Sequence, residues 1–438
     1  MIPEEAKLEI IKRRAAGQTW DGIAGWVKQT YGTNVHRTTI QRCHDREVLA
    51  QDELSPSPEN SVKARITLDK KLATYKGEAA FWKKLYNQSI RDSAKKEIIT
   101  DAINELAPSF NAIPLKEYSK PKGNFRGKQQ QTVIAPLSDT HVGEAVYKEQ
   151  MLDINSYDWD LFNQRLYGWA NQLLNLVNYR RNIAPIDNLI VPMLGDMISG
   201  DIHEELARSN ISNCMEQMIR GANLIAQALM FLAPHFKSIR VPCVVGNHGR
   251  MTRKPPMKDK YMDWDYMMYQ WVSTFCKNQD NISFELPKSY LHVFSVYNQK
   301  ILIMHGDSVS GAGSNTSITR AITNLRGVMQ YKDNLSNKSE IKFDSAMIGH
   351  FHRIDEIDIG TGELHICGTM KGPDEFALQR LHTATKPKHL VTYWHPKYGY
   401  IGKEVIYLDR YDKHQGKFND SLPDNWTGSI MSKSDILV

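Results

Sequence analysis

The sequence predicts an α/β fold, a two-sheet α/β/β/α sandwich preceded by a small all-α domain. Two observations carry this reading. From residue 132 onward, short apolar runs alternate with longer amphipathic stretches, strand–helix–strand first and a run of strands later, which implies two packed sheets flanked by helices. Before that, the first 47 residues show helical periodicity and no strand pattern. A chain of 438 residues with 41% hydrophobic content can bury one large core and a smaller one.

The N-terminal domain reads as three short helices. Residues 5–15 place Leu8, Ile10 and Ile11 at helical spacing, and Gly17 stops them. Thr19 can cap a second helix whose inward face is Ile23, Ala24, Trp26 and Val27. After Tyr31-Gly32-Thr33-Asn34 a third helix starts near His36 and runs through Thr39, Ile40 and Arg42. Two helices around a short glycine-containing turn fit a helix-turn-helix. The segment GQTWDGIAGWVKQTYGTNVHRTTIQR resembles the small helix-turn-helix domains of resolvases and sigma-type factors. The resemblance implies that Arg37, Thr38, Thr39, Gln41 and Arg42 face DNA, arginine being suited to guanine and glutamine to adenine. The alternative is a helical cap or oligomerisation domain with a solvated polar face.

Residues 51–62, QDELSPSPENSV, have a linker's composition. Residues 63–108 turn helical and basic, with lysine pairs at 70–71, 83–84 and 95–96, and Trp82 and Tyr86 would share one helix face. That stretch is read as a nucleic-acid-binding arm or, equally, as a solvated helix packed on the next domain. A second linker, KPKGNFRGKQQQ, spans 120–131. The expected domains are therefore 1–50, 51–131, 132–410 and a loose polar tail, 411–438.

Within 132–410, TVIAPLS (132–138), NLIVPML (188–194) and IRVPCVV (239–245) read as buried strands. Further strands follow at 300–306, 344–350, 363–368, 389–394 and 403–408. Trp159, Phe162, Leu166, Trp169 and Leu173 mark one helix; Met218, Ala222, Ile225 and Leu229 mark another, ahead of Pro234. The aromatic and methionine stripe over 261–268 reads as core packing rather than a cofactor box.

Net charge is +6, a mild basic excess that favours polyanionic partners without establishing one. Five cysteines are scattered with no Cys-x-x-Cys pair, so a disulfide framework and a zinc ribbon are not expected. No apolar run approaches the roughly 20 residues of a membrane span, and the N-terminal MIPEEAKLEIIKRR has no apolar core of a signal peptide. The expectation is a cytoplasmic protein, bacterial or in an infected host cell, with no membrane partner and with homodimerisation left open.

Five motifs end predicted strands: SDTH (138–141), GD (195–196), GNH (246–248), MHGD (304–307) and GHFH (349–352). Loops at strand ends are where a rigid sheet can aim several short segments at one point. Setting His248 aside, Asp139, His141, Asp196, Asn247, His305, His350 and His352 are donors suited to divalent manganese, iron or zinc. They suffice for two metals if one carboxylate bridges. Glycines before Asp196, Asn247 and His350 would allow tight turns.

Each motif alone is weak, but the five in order resemble the calcineurin-like metallophosphoesterase superfamily over about residues 132–370. SDTHVGE looks most like its repair-exonuclease (SbcD-like) branch. The resemblance implies one metal on Asp139, His141, Asp196 and His352 and a second on Asp196, Asn247, His305 and His350. It also implies that His248 sits over the scissile phosphate and protonates the leaving oxygen. Manganese is the first choice, with iron, zinc, magnesium or nickel as alternatives.

Two departures stand out. The family usually carries an acid directly after GNH to orient the histidine, and here that position is Gly249, followed by Arg250. Asp201, Glu204 or Glu205 would then have to orient His248, and Arg250 is a candidate phosphate ligand. GDMISGDIHEE also lacks the Val-Asp-Arg-Gly continuation of protein serine/threonine phosphatases.

The leading expectation is a DNA nuclease; the alternatives are a nucleotide or other small-molecule phosphodiesterase and a non-enzymatic DNA-binding protein. The complete ligand set argues against the last. The insert 306–343 reads as a lid, a DNA-binding wall carrying Arg320 and Arg326, or a solvated loop. A helix-turn-helix on this enzyme type, with no ATPase partner domain, suits a bacteriophage or mobile-element protein.

Overall fold

A computed structural model describes residues 2–52, 118–119, 128–252, 254–309, 313–336, 342–413 and 416–420. The chain divides into two units, Met1–Asp101 and Ala102–Val438.

In the first unit, helices α1 (Glu4–Ala15), α2 (Trp20–Tyr31) and α3 (Arg37–Asp52) form where the apolar spacing places them. Thr19 accepts the Gly22 N–H to cap α2, and Gly32 closes the same helix at φ 67°. Ala6, Ile10, Ile23, Val27 and Ile40 fill one small core, with Ala24 and Trp26 at its margin.

In the second unit the elements run β1 (Gln131–Ile134), α4 (Trp159–Arg180), β2 (Ile186–Ile190), α5 (Glu204–Ser209), α6 (Cys214–Leu232), β3 (Ser238–Pro242), α7 (Trp264–Phe275) and β4 (Ile282–Glu285). Then come β5 (Leu291–Val296), β6 (Gln299–Met304), α8 (Asn315–Ser336), β7 (Ser345–Ile348), β8 (Asp355–Asp358), β9 (Glu363–Ile366), α9 (Glu375–Arg380), β10 (Lys388–His395) and β11 (Gly399–Tyr407). One sheet has the order β11-β10-β1-β2-β3-β4, with β1 to β4 parallel; the other is β5-β6-β7-β9-β8, with β6, β7 and β9 parallel.

The period of two along each strand decides the layers. Val133, Leu189 and Val241 join a core with α4, α6 and α7. Their neighbours Ile134 and Ile190 point the other way and meet Ile301, Ile303 and Met347 of the second sheet. Leu302, Met304 and Ile348 in turn face Ile318, Ile322 and Met329 of α8. The result is helices, sheet, sheet, helix.

Several expectations need correction. The insert 306–343 is neither lid nor open loop in its described part: α8 covers the second sheet. Arg326 is used up in docking it, donating to the Ile359 and Asp344 carbonyls at 2.9 and 3.1 Å, while Arg320 is exposed. The tail is not loose where it is described. Asp412 accepts two bonds, at 2.6 and 2.8 Å, from the buried Arg165, and Asp420 pairs with Arg220. Strands β4, β5 and β8 are additions to the expected set; β8 (DEID) is an acidic edge strand with no apolar alternation to reveal it. The basic stretch 63–108, with Trp82 and Tyr86, lies outside the described residues. No helix among the described residues is long and apolar enough to cross a membrane. All five cysteines are buried and free.

Candidate metal centre

The five motifs leave the ends of β1, β2, β3, β6 and β7 on one edge of the sandwich. β1, β2 and β3 stop a few residues before their motifs, and single bridges (Leu137 to Met193, Met193 to Cys243) carry the chain onward in register, whereas β6 and β7 run directly into theirs. At the motifs the backbone enters the left-handed region: φ is 50° at Asp139, 43° at His141, 50° at Asp196, 67° at His350 and 52° at His352. That conformation costs a non-glycine residue roughly 1–2 kcal/mol. Five such residues at one edge mark a place where surrounding bonds over-determine the backbone.

Those bonds run from motif to motif. Asp139 accepts from the Ser138 hydroxyl and, at 3.0 and 3.1 Å, from the His350 N–H. Asp196 Oδ1 accepts from the Asn247 and His248 N–H groups at 2.7 and 2.8 Å. Both carboxylates are essentially inaccessible. Burial by itself would raise their pKa, but His352 beside Asp139 and His305 beside Asp196 outweigh it and hold both below the ordinary carboxylate range.

The imidazoles complete two clusters. His352 Nε2 lies 3.3 Å from Asp139 Oδ1 and 3.2 Å from His141 Nε2. His305 Nε2 lies 3.0 Å from Asp196 Oδ2, 3.2 Å from Asn247 Oδ1 and 3.2 Å from His350 Nδ1. The first cluster is Asp139, His141 and His352, the second Asp196, His305 and His350; His141, Asp196 and His248 link them, the ligand atoms of each group lying within 4.8 Å of one another.

This donor set fits divalent cations. Burial lowers His141 well below the usual imidazole range and His350 to about 4, so both rings are neutral. Each neutral ring keeps one N–H and offers one lone pair, His141 in the first cluster and His350 in the second. His141 Nδ1 is also buried with no hydrogen-bond partner. His305 differs: burial lowers it, but the Asp196 carboxylate prevails and raises it to about 10, a proton that a bound cation would displace. Its Nδ1 donates to the Leu194 carbonyl at 2.7 Å, which turns Nε2 towards the cluster.

His248 is oriented by a group the sequence did not suggest. Its Nδ1 pairs with the Ser199 carbonyl at 2.8 Å, so a backbone oxygen replaces the acid sought at Asp201, Glu204 or Glu205. The ring stands edge-on to His141 at 4.5 Å and to the exposed His203 at 5.7 Å. Glycine at 249 has a steric cause: a methyl there would overlap the buried Asp263 carboxylate. Glycine at 246 likewise reflects close approach to Asp196 rather than a left-handed turn. Arg250 donates to the Asn247 and Thr252 carbonyls at 3.1 and 3.0 Å, bonds that brace its own loop.

Sequence reasoning missed Asp265. This fully buried carboxylate accepts from the backbone N–H groups of Asp196 (2.8 Å), Met197 (3.0 Å) and Gly246 (3.0 Å), tying the second motif to the third. Burial and the nearby Asp196 push it up to about 6. Asp263 supports it by accepting the Asp265 N–H at 2.8 Å. The signal was present: two acids inside an otherwise apolar helical stripe need buried partners. A second missed group is Lys371, buried and paired with Glu144 (2.9 and 3.1 Å) and Asp374 (2.5 Å). Glu144 Oε2 in turn lies 3.6 Å from His141 Nδ1.

In the first unit, Arg37, Thr38, Thr39, Gln41 and Arg42 are all exposed, whereas Ile40 and Cys43 between and after them are buried. They form one polar face of α3.

No protein-family model matches the sequence, and no curated protein matches it. Among solved structures, the chain is similar to a predicted phosphoesterase from Streptococcus pneumoniae (12% identity, 64% of this chain and 91% of that one, TM-score 0.27). It is also similar to an archaeal phosphodiesterase (10% identity, 63% and 99%, TM-score 0.28). A third is zinc-complexed Vps29 of Entamoeba histolytica (13% identity, 63% and 99%, TM-score 0.25).

Proposed function

We propose that this chain is a two-metal phosphodiesterase that cuts DNA. The observation that carries the reading is the convergence of Asp139, His141, Asp196, Asn247, His305, His350 and His352 at one edge of the sandwich, with neighbouring ligating atoms 3.0–3.3 Å apart within each cluster. Asp139, His141, Asp196 and His352 would hold one cation and Asp196, Asn247, His305 and His350 the other, manganese suiting this oxygen-and-nitrogen set. When bound, such a pair of cations supplies Lewis acidity towards a phosphate and lowers the pKa of a coordinated water.

The chain's own residues do the rest. Asp265 and the backbone N–H groups at 247, 248 and 350 hold the two carboxylates still. With Nδ1–H committed to Ser199, His248 presents Nε2 to the centre, where it can steady a phosphate oxygen and pass a proton to the leaving one. DNA as substrate is supported by the exposed Arg, Thr and Gln face of α3, read as the second helix of a helix-turn-helix, and by the net charge of +6. The domain limits 1–50, 51–131 and 132–410, kinship with the SbcD-like exonuclease branch and a phage-borne origin belong to the same reading.

Purified protein with manganese should cleave DNA in a panel of single-stranded, duplex and branched substrates. Asp196→Ala should lower turnover by about 10³-fold or more, and His248→Ala by about 10²–10⁴-fold, with circular dichroism unchanged. Hydrolysis of bis-p-nitrophenyl phosphate with every DNA left intact would replace this reading with a small-molecule phosphodiesterase. Hydrolysis of neither would overturn it.

A further inference from the structure

The loop that leaves His248 and returns at Asp263 is basic, with Arg250, Arg253, Lys254, Lys258 and Lys260 against one acid, Asp259. It is tied to two ligand-bearing loops. Arg250 donates to the Asn247 carbonyl at 3.1 Å, and Lys260 Nζ bonds both carboxylate oxygens of Asp307, at 2.6 and 2.7 Å, two residues beyond His305. Its base is closed by the Trp264 N–H on the Gly249 carbonyl at 2.8 Å. Arg250 and Lys260 are thus spent on anchoring.

Lys254 and Lys258 are not. Both are exposed, and neither forms an ion pair among the described residues. Pro255 and Pro256 lie between them, and the fixed φ of proline limits the backbone freedom of this tip. Met257 at the tip is 94% exposed. Lys288, also exposed, reaches the loop from the β4–β5 connection, its Nζ 5.6 Å from the centre of the Tyr261 ring. Lys254 follows His248 by only six positions, so its Cα lies within about 20 Å of it. At roughly 3.4 Å of rise per nucleotide, that is a span of a few phosphates.

We infer that Lys254 and Lys258, with Lys288, form a rim that binds the phosphates of a nucleic-acid strand flanking the one at the metal centre. The inference rests on the phosphodiesterase reading and deepens it by naming where the strand is gripped.

The test uses the full chain without added metal, so that binding is measured with no turnover. Fluorescence anisotropy of a labelled 12-nucleotide strand, single and duplexed, is followed across a salt series. Lys254→Glu with Lys258→Glu should weaken binding by about tenfold or more and reduce the slope of log K against log salt by about 1.4–1.8, the value for two lost phosphate contacts. Lys254→Arg with Lys258→Arg should retain both affinity and slope. A control pair, Lys277→Glu with Lys397→Glu, changes net charge equally at the end of the first sheet's strands opposite the motifs, ahead of β4 and after β10. The inference is overturned if the loop reversals weaken binding no more than the control pair. Because no hydrolysis is measured, this outcome is separate from any failure of the phosphodiesterase reading, which bis-p-nitrophenyl phosphate reports.

Discussion

At the strand ends, Asp139 and Asp196 are at most 1% exposed, and each accepts backbone N–H groups from a motif far along the chain. On α3, by contrast, Arg37, Thr38, Thr39, Gln41 and Arg42 all face solvent, and among the described residues Arg37 pairs with the exposed Asp21 at 3.3 Å. Both regions are rich in polar side chains. In the first, each polar group is a structural member whose removal strands others in a low-dielectric interior. In the second, the side chains stand in solvent, Arg37 beside Asp21 and Thr38 beside His36, and their identity is free to serve an outside partner.

The comparison breaks most visibly at Asp265. Asp265→Ala would leave the N–H groups of Asp196, Met197 and Gly246 buried without an acceptor, at about 1–3 kcal/mol each. Urea unfolding should show a loss of roughly 3–5 kcal/mol, together with weakened manganese binding by calorimetry. A loss under about 1 kcal/mol would mean that the centre is not over-determined as described.

An intermediate case is Glu285, half-buried between His292 (2.7 Å) and Arg240 (2.6 Å). The His292 bond, then the Arg240 guanidinium, outweigh burial and lower its pKa. A carboxyl lowered in the folded state stabilises above its ordinary value and loses that contribution as pH falls through the folded one. Glu285→Gln should therefore cost up to about 1 kcal/mol near pH 7 and nothing measurable well below pH 4. Denaturation midpoints at the two pH values check the sign.

The smallest effect on folding belongs to α3. Arg37→Ala with Arg42→Ala should shift stability by no more than about 0.5 kcal/mol, while DNA affinity falls and the salt slope drops by about 1.4–1.8. Unchanged DNA binding would identify α3 as a solvated face of a helical cap, and the contrast with the metal centre would lose its functional side.

Much of this is legible in the sequence where the cause is local. Val133 against Ile134, or Leu302 against Ile303, alternate because neighbours on a strand face opposite ways, and that pattern alone places most strands and both sheets. The five motifs are visible because each couples a glycine or serine to a donor at a strand end. Asp265 is not, since its partners at Asp196 and Met197 stand 69 and 68 residues away. The tail and the insert escape the sequence for the same reason. Asp412 is polar until Arg165 meets it, 247 residues distant, and Arg326 is a spare cation until two carbonyls claim it.

The order and chemical type of the donors, the period of each strand and the three N-terminal helices follow from the sequence by itself, because each depends on residues within a few positions of one another. The tertiary structure alone decided that the Ser199 carbonyl orients His248, that Arg250 braces its own loop and that Gly249 makes room for Asp263. Those contacts depend on how the loops fold back and pack, and a buried polar group takes whichever partner the packing brings within hydrogen-bond reach.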